Sequence, residues 1–426
     1  MAYFSRPAEK GWRSRAAVAA LLTGALALSG CTGSGPTRQA RKASHPAKPQ
    51  AEPVHSAGIA PNGISDGQVQ AASVIGSTIG QGPVKVSLIL PLSGSAQGAT
   101  VAQSMRNAAD LAISEFQGSD LTILVKDDRG TPEGAREAAS QALAEGAQLI
   151  LGPLFAGSVQ AAGQVARQAG KPLIGFSSDR TAATQGVYLL SFMVQAEVDR
   201  IIAFAASQNR RSIAALVPET TYGHVAEAQL REAAAENGLR IVAIERYPAG
   251  QPQGAVQRLA SVIGGPSPRA NALFIPDSGD GLPAVAQALQ TIRFDAQRVK
   301  PLGTGLWDEA RVFALPALQG GWFAAPDKRG FMDFAARYRA RFNSEPVRLA
   351  TLSYDAVTLA AGIARLQGPR AYNDSVLTNG AGFAGADGVF RFNPNGTNDR
   401  ALTVQEVRGG TAVVIEGAPR TLMASY

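Results

Sequence analysis

Val84–Gly98, VKVSLILPLSGSAQG, is the stretch that decides the fold. Val84 to Leu90 is a short, mostly apolar run, which reads as a strand. Pro91-Leu92-Ser93-Gly94 follows as a turn of small residues. From Ala99 to Phe116 the apolar period lengthens, with Val101, Met105, Ala108, Ala109, Ala112 and Phe116 near one face of a helix. Strand, small-residue turn and helix together form the first half of a βαβ unit.

Downstream the same alternation repeats. Strands are expected at Leu121–Lys126, Leu149–Gly152, Leu173–Phe176, Ile213–Val217, Ile241–Arg246 and Ala272–Ile275. Between them lie helical stretches. Thr131-Pro132-Glu133 opens one with proline in its first turn, and Gly146 closes it. Others run over Ser158–Gln168, over Val225–Asn237 (stopped by Gly238), over Gln253–Ile263 and over Leu282–Ile292. Short strands separated by helices of about a dozen residues mean right-handed βαβ units and parallel sheets. About 345 residues of this pattern exceed one sheet's core, so two lobes are expected. The end of the chain differs: Leu402–Val407 and Thr411–Ile415 read as a hairpin turning at Gly409-Gly410. Phe331, Phe334, Tyr338 and Phe342 follow helical spacing and read as core, with Arg337, Arg339 and Arg341 as solvated charge.

Upstream the texture is of another kind. Thr32 to Gly82 has no aromatic residue and is rich in Ala, Ser, Gly, Pro and Gln. Such a stretch buries too little apolar surface to offset its ordering entropy and reads as a flexible tether. Its root-mean-square reach as a coil is roughly 40 Å. Only a weak helix is expected, over Asp66–Ile79. Before it, Arg6, Lys10, Arg13 and Arg15 precede an apolar run from Ala16 to Leu28 and the tetrapeptide Leu28-Ser29-Gly30-Cys31. That order is a secretory signal peptide. Its apolar run of about 13 residues is shorter than the roughly 20 that span a bilayer. The tetrapeptide resembles a bacterial lipobox, which implies lipidation of Cys31. Thr32 in place of aspartate then directs the protein to the periplasmic face of the outer membrane.

Composition excludes several classes. Of the formal charge of +7, the signal segment carries +3 and residues 32–80 carry +2, leaving +2 on the folded part. This gives no basis for nucleic-acid binding. With Cys31 the single cysteine, the folded part has no disulfide and no thiolate metal site. His224 is its one histidine, at a helix start where it reads as exposed or capping. The folded part has no G-x-S-x-G, S-x-x-K, H-E-x-x-H or P-loop pattern, the one G-x-S-x-G match, Gly63–Gly67, lying in the segment read as a tether. Neither catalytic residue, metal site nor cofactor is expected, so the chain does not read as an enzyme.

Val84–Gly98, Lys126–Gly130 (KDDRG), Gly146–Ser158 (GAQLILGPLFAGS), Lys171–Ser177 (KPLIGFS), Thr221–Gly223 (TYG) and the ending GVFRFNPNGTNDRALTVQEVRGG carry a resemblance. Over about residues 82–416 the chain resembles the leucine/isoleucine/valine-binding group of type I periplasmic binding proteins. The resemblance implies an α/β fold of two lobes, each a parallel sheet flanked by helices. Three crossovers are expected near 195, 323 and 380, with a ligand cleft between the lobes. The implied division is residues 1–30 as lipoprotein signal peptide, 31–81 as lipidated cysteine and tether, and 82–426 as the binding domain. Lobe 1 takes about 82–195 and 325–378, and lobe 2 about 196–322 and 385–426. With a lipobox upstream, the same stretches also resemble the carboxy-terminal domain of penicillin-binding-protein activator lipoproteins.

Ligands of open α/β sheets sit beyond the carboxyl ends of the strands. That rule selects Ser93, the loop Gly152–Ser158 with Ala156 and Ser158, the loop Ser177–Asp179 with Ser178, Tyr222, Asp277, Ser278 and the loop Gly305–Trp307. The resemblance sharpens the reading. Ala156 stands where a family serine holds a ligand carboxylate, with Ser158 two positions on. Ser177 falls at a backbone-contact position, Asp179 at a family threonine, and Tyr222 at the aromatic that covers the ligand. Gly305 replaces the glutamate that pairs with the α-ammonium, Asp308 being the nearest acid, and Ser278 replaces an aromatic. A buried ammonium without a carboxylate is strongly disfavoured, so an amino-acid zwitterion fits poorly. The sequence therefore reads as a lipid-anchored, non-enzymatic activator or scaffold of a peptidoglycan synthase. The alternative is the solute receptor of an ABC importer for amino acids or related small molecules. The partners expected are that synthase or an ABC permease, with a small polar ligand in the cleft.

Overall fold

The computed structural model describes residues 77–116, 120–368 and 372–422. The signal peptide, Cys31 and most of the tether lie outside the described residues. Two layered α/β sheets make up the fold. In the first, the order is Thr78–Ile79, Leu121–Asp127, Val84–Leu90, Ile150–Leu151, Leu173–Gly175 and Val187–Leu189. All pairs are parallel except the first, where Thr78 and Ile79 run antiparallel to Leu124 and Ile123. The expected weak helix over 66–79 is corrected at that end. Thr78–Ile79 is an edge strand, and the folded sheet begins before residue 82.

The second sheet runs Thr411–Glu416, Thr403–Arg408, Trp322–Ala325, Lys300–Gly303, Ala272–Phe274, Ser212–Pro218 and Arg240–Tyr247. Its parallel part is closed on one side by the antiparallel hairpin 403–416. Gly409 and Gly410 both have positive φ, +59° and +79°, as the two-residue turn requires. A small antiparallel sheet of Phe383–Gly385, Gly388–Phe392 and Asn398–Arg400 completes the strands.

Helices cover both faces. Ala96–Glu115 and Ala350–Gln367 pack on one face of the first sheet, burying Met105, Ala109, Leu352 and Ala356 with Leu88 and Ile123. Pro132–Ala144 and Ala156–Gln168 cover the other face through Ala135, Ala139, Val159 and Ala162. Thr131 caps the former, its Oγ1 accepting from Gly134 N at 3.0 Å, with Pro132 in the first turn. Phe334 and Tyr338 of helix Lys328–Phe342 are buried against Ala108 and Leu111. The arginines of that helix are surface residues, ion-paired with Glu115, Glu345 and Asp110.

The chain passes from the first sheet to the second through Leu190–Met193, the linker into helix Val194–Ser207. It returns after Trp322–Ala325, since the helices that follow belong to the first core. The third passage differs from expectation. Phe390 and Phe392 pack in the first lobe's core, their rings tilted against Phe383 and Tyr188, whereas Leu402 and Val404 belong to the second lobe's core. The crossing thus lies at Ala401–Leu402 rather than near 380, and residues 385–400 belong with lobe 1. Alternating aromatics on the strand Gly388–Phe392 need a core, and the nearest is the first. Among the described residues, no helix is long and apolar enough to cross a membrane.

Candidate functional site

The carboxyl ends of the first sheet carry three connected loops. Ser93 donates from both N and Oγ to Asp127, tying the turn after the first long strand to the next loop. Asp128, fully buried, accepts from Gly130 N at 2.9 Å. Burial pushes its carboxyl up to about 6, against the pull of that N–H and of the Ser158 hydroxyl. Ser158 is therefore buried beside a carboxyl group. Ala156 opens its helix, whose cap position Phe155 offers no side-chain acceptor. The Phe155 ring, within the loop Gly152–Ser158 that the strand-end rule selects, lies near Gly98 and Gly130 and stays 39% exposed.

Two other selected positions on this lobe have local structural roles. Ser177 Oγ accepts from Asp179 N at 3.1 Å. Asp179 in turn accepts from Thr181 N at 2.9 Å and caps the short turn Arg180–Ala182. Ser178 is exposed. On the second lobe, Asp277 is buried and accepts from Tyr247 Oη at 2.6 Å and from Ser278 N at 2.7 Å, so this pair braces its loop. Trp307 needs correction as a cleft residue. It is fully buried in the second lobe's core, and its Nε1 donates to Ile275 O at 3.1 Å. An indole of this size fills core space beneath the loop rather than facing a ligand.

Tyr222 and Gly305 are brought together by a residue that the sequence reading did not select. Glu197, near the start of the first crossover helix, is 8% exposed. Its Oε2 accepts from Gly305 N at 2.9 Å and from Tyr222 Oη at 3.3 Å, while Tyr222 Oη also contacts Thr304 Oγ1 at 2.8 Å. A Cβ at Gly305 would lie 2.6 Å from Glu197 Oε1. The glycine is thus what admits this carboxylate, which stands where the sequence comparison found none. Burial pushes the Glu197 carboxyl up to about 7, against the Gly305 N–H, the Tyr222 hydroxyl and the Arg348 charge, while Asp308 adds to the rise. Burial and the neighbouring Glu197 charge also hold the Tyr222 phenol well above its ordinary value. A signal for Glu197 existed. It lies on the same helical stripe as Val194, Val198 and Ile201, which are buried, and an acid on an apolar stripe needs a reason.

Beside it lies a partly buried ionic cluster, in which Asp355, Asp387 and Arg400 are buried while Lys328, Asp308 and Arg348 keep some exposure. Arg348 pairs with Asp387 at 2.7 Å, Arg400 with Asp355 at 3.7 Å, and Lys328 with Asp308 at 2.6 Å. Phe192 lies between two guanidinium groups, with Arg348 4.4 Å and Arg400 5.0 Å from its ring centre. Phe331 backs Arg348 at 4.7 Å and Phe390 backs Arg400 at 5.5 Å. Burial pushes the Asp355 carboxyl up to about 7, with Arg400 opposing. Burial would raise Asp387 too, but Arg348 and Arg400 hold it below its ordinary value. Among the described residues no group of three or more His, Cys, Asp or Glu side chains could hold a metal ion. An open cavity of about 640 Å³ lined by Arg167, Lys171, Gln185 and Asp374 lies before the strand Leu173–Gly175. It is thus at the opposite end of that sheet from Ser177 and is no part of this site.

Two α/β lobes joined by three crossovers, with loops at the carboxyl ends of parallel strands, define a type I periplasmic binding protein. The chain belongs to the periplasmic binding protein family, which it matches over residues 83–412. No curated protein sequence matches it. Among solved structures it is similar to a putative branched-chain amino acid ABC transporter protein from Rhodospirillum rubrum. That pair is 20% identical, covering 78% of this chain and 99% of the other, with a TM-score of 0.69. A branched-chain amino acid ABC transporter periplasmic ligand-binding protein from Burkholderia xenovorans is 15% identical, covering 80% and 96%, with a TM-score of 0.63. A solute-binding protein of an ABC transporter from Rhodopseudomonas palustris, in complex with 3,4-dihydroxybenzoic acid, is 21% identical. It covers 80% and 98%, with a TM-score of 0.55. At these identities the likeness concerns the fold.

Proposed function

We propose that this protein is the solute-binding receptor of an ABC importer, holding a small molecule between its lobes for a membrane permease. The observation that carries the reading is the Glu197–Tyr222–Gly305 arrangement at the mouth of the second lobe, in a chain of this family. A buried carboxylate and an aromatic at the carboxyl end of a parallel sheet suit capture of a small polar solute. The three similar structures are importer proteins and favour this reading; none of them supports the synthase-activator reading. Family members bind rather than transform their ligands, in keeping with a non-enzyme.

The test is uptake. Deleting the gene should abolish import of a solute that the purified protein binds, and restoring the gene should restore import. A solute at 100 times its dissociation constant should stabilise the fold by about 2.7 kcal/mol, read as a thermal shift. Failure of a broad solute library to shift the protein, together with unchanged uptake, overturns the receptor reading.

The lipobox at Leu28–Cys31 supports a location on the periplasmic side of a membrane, held by a lipid on Cys31, with Thr32 favouring the outer membrane. Cys31→Ser should abolish incorporation of labelled fatty acid and leave the protein uncleaved or soluble. Continued labelling and membrane fractionation of that variant would refute the anchor.

A further inference from the structure

The open cavity of about 640 Å³ lies at the amino ends of the strands Leu173–Gly175 and Val187–Leu189, away from the site described above. Three segments of the first lobe wall it: the end of helix Ala156–Gln168 with Gly170–Pro172, the turn at Gln185–Gly186, and Tyr372–Ser375. A concave site of that volume is of the size that holds small molecules.

The charges lining it do not neutralise one another. Arg167 and Lys171 face the cavity, and among the described residues no carboxylate pairs with either. Lys171 Nζ donates to a neutral acceptor, Gln148 Oε1, at 2.7 Å. One acid, Asp374, lines the same cavity but serves neutral donors. Its Oδ1 accepts from Tyr188 Oη at 2.7 Å and its Oδ2 from Gln185 Nε2 at 3.2 Å. The helix end is closed as well: the carbonyls of Val165, Ala166 and Arg167 accept from the N–H groups of Ala169, Lys171 and Gly170. Asn373 adds a donor, since its Oδ1 is taken by Val376 N and Ser375 Oγ while its amide N–H groups stay open.

We propose that this cavity is a second binding site, for a small organic anion bearing phosphoryl or carboxylate groups. Arg167 supplies a planar fork that takes such a group bidentately, and Lys171 supplies a point charge beside it. The volume suits an organic body as well as its anionic group. The site goes beyond the receptor reading and does not rest on it, because no residue of the Glu197–Tyr222–Gly305 arrangement lines it.

Calorimetric titration of the purified full-length protein tests this near neutral pH and at low ionic strength. The probes are inorganic phosphate, citrate and fructose 1,6-bisphosphate. At least one should bind, with an affinity that falls as salt is added. Arg167→Gln and Lys171→Gln should each weaken that binding about tenfold, the loss of one charge-assisted hydrogen bond. The double variant should abolish it. Asp374→Asn keeps an acceptor for Tyr188 and removes the opposing charge, so it should strengthen binding severalfold. Arg136→Gln, at an exposed arginine outside the cavity lining, should leave it unchanged. Binding that survives in the double variant lies elsewhere, and equal weakening by Arg136→Gln is a general charge effect; either overturns the site. Binding by none of the probes, or no gain from Asp374→Asn, overturns it as well. The receptor reading fails separately, on the uptake experiment.

Discussion

Asp355→Ala should lower the stability of the folded protein by about 3–5 kcal/mol at pH 8, the usual cost of breaking a buried ion pair from one side. Asp355 is 1% exposed and Arg400 5%. The substitution removes the carboxylate 3.7 Å from Arg400 and the acceptor that holds Ala386 N at 2.6 Å. It leaves a guanidinium between the Phe192 and Phe390 rings with a weakened counter-charge. Equilibrium unfolding in urea reads the effect. Asp355→Asn keeps an acceptor for Ala386 and should cost less. Asp355→Ala combined with Arg400→Met should recover much of the loss, because an apolar pair of similar volume replaces an ionic one at little net cost. An unchanged unfolding midpoint for Asp355→Ala would show that the pair contributes nothing to stability.

Glu197→Gln should act in the opposite direction, raising stability above pH 7. The Glu197 carboxyl titrates at about 7 in the folded state, against an ordinary 4.5. Between those values the unfolded chain has given up its proton while the native protein still holds it. The stability contributed by this group is therefore full below about 4.5, lost as pH rises to about 7, and absent beyond. Glutamine has no such proton and escapes the loss. The gain at pH 8 is on the order of 3 kcal/mol, since each tenfold difference in proton affinity between the folded and unfolded chain is worth about 1.4 kcal/mol. Unfolding curves of the two proteins at pH 4 and pH 8 should be nearly coincident at the lower pH and well separated at the higher. Equal separation at both would show that ionisation of Glu197 is not the cause.

Much of the architecture was legible in the sequence because it depends on residues close together in the chain. The strand Val84–Leu90 and the helix Gln253–Ile263 have the bounds that periodicity gives them, and the hairpin turns at Gly409-Gly410 as expected. Other bounds move by a few residues, as with the helix read from Ala99 and observed from Ala96. A capping hydroxyl or an αL glycine acts within its own turn, so its effect is written locally. The exposed surface of His224 and the core role of Phe334 and Tyr338 follow from the same short-range periods.

The tertiary structure alone decided which polar groups meet. Glu197 and Gly305 are 108 residues apart, Ser191 and Asn398 are 207 apart, and Arg348 and Asp387 are 39 apart. No period links such positions, and a turn of small residues carries no mark of what lies across it. Trp307 was a plausible cleft aromatic until the sheet packed over it. Phe390 and Phe392 declare a buried face, yet which of two cores receives it depends on where the third crossover falls. Local propensity specifies elements because it is set by neighbouring dihedral angles and side chains. The charge balance at the crossovers is set by desolvation, which acts only on groups that folding has already brought together.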